Sequence, residues 1–200
     1  MVGRLEYGQV IVQYMIHYIV IHSQLKIFIK MKILLLSFIL IDLTSSFSQI
    51  NSINNENKKY ELLLKKINKQ FPQISSYDAR KKIDNNKTIF LDTRSAKEYS
   101  ISHIKNAILI DYNKFDIKSI DSISKQDEII VYCSIGSRSV NIGEKLKKLG
   151  YQNVKNLSGG LFHWININFP LVNNKGKKTI DIHGYSKEWS KWIINGNIVY

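Results

Sequence analysis

The stretch Tyr132-Cys133-Ser134-Ile135-Gly136-Ser137-Arg138-Ser139 decides the reading of this chain. It follows the apolar run Glu128-Ile129-Ile130-Val131 and precedes Asn141–Gly150, where Ile142, Leu146 and Leu149 recur at helical spacing before a glycine stop. The pattern is buried strand, tight loop and helix, with the only cysteine of the protein at the strand's exit. Such a loop turns backbone N–H groups and the positive end of the helix dipole toward one point. A sulfur placed there is favoured as thiolate, with Arg138 adding a positive charge. The competing reading is an inert buried cysteine. Gly136 with Ser134, Ser137 and Ser139 suits a loop wrapped round an anion better than a packed interior.

Working upstream, Thr88-Ile89-Phe90-Leu91 reads as a second buried strand ending at Asp92-Thr93-Arg94, and Asn106–Ile110 as a third. Tyr112–Ile120 is a loosely helical crossover, and Asn153–Leu157 is the last strand. Trp164, just after Gly159-Gly160, is expected in the core. Alternating strands and helices with short connections predict an α/β domain of three layers, with a central, mainly parallel sheet flanked by helices. Asp92 and Arg94 stand at a strand end, where open α/β sheets carry function. An ion pair locking the loop is the expected role for both.

Two ordered blocks carry a family resemblance. Tyr132-Cys133-x-x-Gly136-x-Arg138-Ser139, then Leu146-x-x-x-Gly150-Tyr151-x-Asn153-Val154-x-x-Leu157-x-Gly159-Gly160-x-x-x-Trp164, resembles the active-site half of a rhodanese domain. Asp92-Thr93-Arg94-x-x-x-Glu98-Tyr99-x-x-x-His103-Ile104-x-x-Ala107 resembles the same family's first signature. The resemblance runs over residues 72–172, half of the chain. It implies a sulfurtransferase in which Cys133 is the nucleophile and 134–139 (Ser134, Ile135, Gly136, Ser137, Arg138 and Ser139) form the substrate-binding loop. Cys133 would take sulfur from a small anionic donor such as thiosulfate or polysulfide, hold it as a persulfide, and pass it to a thiol or to cyanide, without metal or cofactor.

By the same resemblance, His103 belongs to the structure of a turn rather than acting as a base. The glycine usual before it is Ser102 here, so strain is expected if that backbone needs a positive φ. Phosphate-transferring cysteine enzymes related to the family carry one more residue between cysteine and arginine, so the shorter loop points to a single sulfane sulfur. With Arg138 the only cation in the loop, weak thiosulfate binding is expected. Other readings stay open: a persulfide carrier or partner-binding module that does not turn over, and, less favoured, a phosphatase or a purely structural scaffold.

The net charge of +13 would draw anions, but the lysines are spread through an Asn- and Ile-rich chain and no nucleic-acid module is visible, so nucleic-acid binding is not expected. Residues 31–48 place a basic start before the apolar run Ile33–Ile41 and end in Ser46-Phe47-Ser48. This is the pattern of a cleaved export signal, so the protein is expected to be exported, most simply to a periplasm. An uncleaved N-terminal segment anchoring the protein to the membrane is the alternative. Residues 1–30 read as an upstream mis-start or an extra hydrophobic segment. Residues 49–71 read as a linker, Gln49–Asn57, followed by a short amphipathic helix carrying Leu62, Leu63 and Ile67. Phe71–Ser75 would begin the domain as an edge strand, and Ser76 would cap a helix Tyr77–Ile83 ended by Asp84-Asn85-Asn86. Residues 173–200 are an extension of unknown role, with a short helix over Glu188–Ile194 expected to dock on the domain. A monomer is expected.

Overall fold

A computed structural model describes residues 2–69, 71–84 and 87–200. It divides into two compact units, 1–56 and 57–200. The first consists of the greater part of one helix, α1 (Val2–Asn68), on which Leu34, Leu35, Leu36, Phe38 and Leu40 are exposed. The run Ile33–Ile41 is bounded by Lys32 and Asp42, and no described helix is long and apolar enough to cross a membrane. Helix α1 continues through Gln49–Asn57, so the stretch read as a linker is helical. Its Asn- and Ser-rich composition favours turns, but extending an existing helix is far easier than nucleating one.

In the second unit, the last turns of α1 bury Ile67 and half-bury Leu63, while Leu62 faces solvent. The core is a five-stranded, all-parallel sheet in the order β1-β5-β4-β2-β3: β1 Gln73–Ile74, β2 Thr88–Asp92, β3 Ile108–Leu109, β4 Glu128–Tyr132 and β5 Asn153–Leu157. Helices α2 (Ser76–Arg80), α3 (Ala96–Ile101), α4 (Ser137–Lys148) and α5 (Gly160–Asn166) flank it. The central strand β4 has no polar residue after Glu128 because helices leave neither face to water, and Ile129, Ile130 and Val131 are fully buried. Trp164 is fully buried as expected, its indole N–H donating to the Pro170 carbonyl at 3.1 Å.

Local boundaries differ from the sequence reading where a side chain competes for the backbone. Ser75, not Ser76, caps α2: its hydroxyl accepts the Asp78 N–H at 3.1 Å, and Ser76 is buried inside the helix. The helix ends at Arg80 in a turn through Asp84. Gln70, in the stretch 49–71 read as a linker and short helix, and Asn85 and Asn86, read as ending the helix after Ser76, lie outside the described residues. Ser102 has φ −163° and ψ 150°, ordinary extended backbone, so the expected strain is absent. The crossover 112–120 is two 3-10 turns, Tyr112–Lys114 and Ile117–Ile120.

Beyond α5, β6 (Leu171–Val172) pairs antiparallel with β7 (Lys178–Thr179), and β8 (Asp181–His183) pairs in parallel with β9 (Asn197–Val199). Between β8 and β9 the expected helix is only α6 (Lys187–Ser190). It does not reach Ile194, which is exposed, because Asn166 takes the N–H groups of Ile194 and Asn195 on its side-chain oxygen.

Candidate active site

Parallel register places Asp92 beside Tyr132, so the carboxyl ends of β2 and β4 open at one edge of the sheet. Cys133 leaves β4 there, and the chain turns at once into α4, which starts four residues before the apolar periodicity signalled it. Gly136 is the hinge. Its φ of 103° is left-handed, and a Cβ would approach the Asn156 side-chain nitrogen to 2.9 Å. The Gly136 N–H points at Cys133 Sγ from 3.2 Å. Ser139, on the first turn of α4, brings one of the N–H groups that no helical carbonyl can satisfy. Its hydroxyl proton goes to Asn156 Oδ1 at 2.7 Å, which leaves the backbone N–H as its donor toward the sulfur.

From the other side Gly160 closes the loop. A Cβ there would lie 2.5 Å from the Cys133 carbonyl oxygen, and the N–H groups of Leu161 and Phe162 bond the carbonyls of Cys133 and Ser134, both at 2.9 Å. Cys133 is buried at 1 % exposure, which by itself would raise its pKa. The Arg138 charge and hydrogen bonds from Ser139 and the Ile135 backbone outweigh that burial, and the thiol is held below its ordinary value. This is the setting of a nucleophile rather than of an inert core cysteine.

Glu98 is the partner that the sequence reading left unassigned. It is the third residue of α3, and its carboxylate accepts the Ser95 N–H at 2.9 Å while Ser95 Oγ accepts the Glu98 N–H at 3.3 Å, a reciprocal capping box. The same carboxylate accepts both terminal nitrogens of Arg138, at 3.0 and 2.7 Å, and the Ser134 hydroxyl at 3.2 Å. Burial would raise the Glu98 pKa. Arg138, the Ser95 N–H and Arg94 reverse this and hold it at about 2. The Arg138 guanidinium therefore stands between one fixed carboxylate and the Cys133 sulfur. The sequence did carry half of this signal, in the spacing Ser95-x-x-Glu98.

Asp92 and Arg94 form the expected lock. Both are fully buried, joined at 2.7 Å, and Arg94 also donates to the Ser102 carbonyl. His103 keeps its structural role: it exchanges backbone bonds with Val172, donates Nδ1–H to the Tyr99 carbonyl at 3.0 Å, and stacks on the Tyr99 ring. None of the three lines the cavity over the sulfur. That cavity, about 180 Å³, is bounded by Cys133, Ser134, Ile135, Ser137, Arg138, Tyr185 and Trp189. The last two come from the tail and went unassigned in the sequence reading. A larger cleft of about 870 Å³ near Phe169 and Lys178 does not have Cys133 in its lining. Among the described residues no three of His, Cys, Asp and Glu converge as a metal site.

Comparison with known proteins gives the same placement. The family model "Rhodanese-like domain" matches residues 75–167. The chain is 34 % identical over 84 residues to the adenylyltransferase and sulfurtransferase uba4 of Ogataea parapolymorpha, covering 40 % of this chain and 22 % of that protein. It is 30 % identical over 94 residues to YrkF of Bacillus subtilis, named as a candidate sulfur carrier protein, covering 46 % of this chain and 50 % of that one. The chain thus spans half or less of the length of these two relatives. In fold it is similar to the thiosulfate sulfurtransferase of Pseudomonas aeruginosa, with a TM-score of 0.50 at 18 % identity over 59 % of this chain and 23 % of that one. Residues 75–167 thus form a rhodanese-like domain.

Proposed function

We propose that the protein is a sulfurtransferase working through a persulfide on Cys133. The observation that carries this reading is the sulfur's position at the focus of the loop, 3.2 Å from the Gly136 N–H and beside the start of α4. Those dipoles are fixed before reaction and stabilise negative charge on either the thiolate or the outer sulfur of a persulfide. In the first step the Cys133 thiolate attacks the outer sulfur of the donor. A new S–S bond forms, the donor's own bond to that sulfur breaks, and the donor leaves as sulfite or as a thiolate. In the second step an acceptor thiolate or cyanide attacks the same sulfur and returns Cys133 as thiolate. Arg138 is already joined to Glu98 through both terminal nitrogens, which leaves no free two-pronged cation for a phosphoryl group and speaks against phosphatase chemistry.

Intact mass spectrometry tests this. Wild type treated with thiosulfate or polysulfide should gain one sulfur atom and lose it to cyanide, with thiocyanate released, while Cys133→Ser gains none. Loading of the serine variant, or no loading of wild type by either donor, refutes the assignment. Stable persulfide without release to any acceptor would favour the carrier reading, which the likeness to YrkF supports. Export through residues 31–48 is proposed alongside, to be read from the mature N-terminus.

A further inference from the structure

Two rings from outside the family-matched region stand over the sulfur. Tyr185 and Trp189 meet edge to face, with centroids 6.4 Å apart, and line the cavity with the loop 133–138. They are braced. Trp189 packs edge-on to Trp192 at 5.1 Å, and Trp192 stacks on Tyr60 of α1 at 4.8 Å. Tyr60 feels the Cys133 charge, which together with burial raises its pKa. Tyr185 has a left-handed backbone, φ 63°, which a tyrosine adopts only when its surroundings impose it. The imposing group is His183, buried, whose Nδ1 accepts the Tyr185 N–H at 2.9 Å. Asn166 pins the far end of the segment through the Trp192 carbonyl and the N–H groups of Ile194 and Asn195. The tail is built to hold this pair of rings in place.

The cavity's charge argues for what it admits. Arg138 is the only cation in its lining, and Glu98 already engages it, while the Tyr185 ring lies 5.0 Å from its guanidinium carbon. An inorganic oxyanion entering here meets a cation already engaged by Glu98 and two aromatic rings, whose π-systems carry partial negative charge on their faces. An apolar carbon skeleton meets the surfaces that suit it. We propose that Tyr185 and Trp189 are specificity-determining residues that select a low-mass organic persulfide over thiosulfate as the donor to Cys133. This rests on the sulfurtransferase reading. In the step, the thiolate takes the outer sulfur of R–S–SH, giving Cys–S–SH and releasing R–S⁻, with no external oxidant or reductant.

The test compares second-order loading rates of Cys133, read by intact mass, with thiosulfate and with benzyl persulfide. Wild type should prefer benzyl persulfide, and Trp189→Ala or Tyr185→Ala should cut that preference by about ten-fold or more. A wild-type preference for thiosulfate, or variants that slow both donors by one common factor, overturns the proposal. Alkylation by N-benzyl iodoacetamide against iodoacetate needs only the thiolate. Wild-type selectivity for the benzyl reagent that both variants lose, with no donor loading sulfur, would retain the aromatic wall and overturn the sulfur chemistry. No such selectivity in wild type would overturn the wall itself.

Discussion

Replacing Glu98 with Gln tests the arrangement behind the loop most directly. The amide keeps the shape and can still accept the Ser95 N–H, so the cap of α3 survives. What it loses is the charge facing Arg138. A carboxyl brought from its ordinary 4.5 down to about 2 corresponds to about 3 kcal/mol of folding free energy. The Glu98 side chain is only 3 % exposed, but that of Arg138 is 21 % exposed, so solvent screens part of the pair and about 2 kcal/mol is the expected loss. The sign with pH follows from the depressed folded value. The contribution is fully present above the unfolded pKa and disappears as pH falls from there toward the folded one. Urea denaturation followed by tryptophan fluorescence should therefore show the largest gap between wild type and Glu98→Gln at neutral pH, closing below about pH 4. A gap of the same size at acid pH, or a neutral-pH gap under about 0.5 kcal/mol, would refute the reasoning.

Two further substitutions separate the lock from the site. Asp92→Ala leaves Arg94 charged and fully buried, and should cost about 3–5 kcal/mol by denaturation; adding Arg94→Met should recover part of the loss, and a single-variant cost below about 1 kcal/mol would sink the lock. Arg138→Met removes the charge that most offsets Cys133's burial, so the midpoint of the pH–rate curve for alkylation should rise. An unmoved midpoint would assign the thiolate to the amides alone.

Much of this protein could be read along the chain because its signals are local. The apolar run ending in Tyr132, followed by Cys133 and Gly136, specifies strand, turn and helix whatever lies elsewhere, since burial and a left-handed hinge act within a few residues. Asp92 and Arg94 are two residues apart and pair as expected. Two expectations differ from the structure: the polar stretch 49–57 extends an existing helix, and Ser102 sits in extended backbone, so the positive φ on which its strain depended does not arise.

The sequence by itself determined the parallel sheet and the strand, turn and helix that hold Cys133. Only the tertiary structure decided what stands round that loop. Glu98 reaches Arg138 across 40 positions because α3 and α4 begin at the same edge of the sheet. Tyr185 and Trp189 reach the sulfur because the β8–β9 pairing and Asn166 fold the tail back over it. No periodicity encodes such meetings. They arise from packing between segments far apart in the chain, which a one-dimensional pattern does not record.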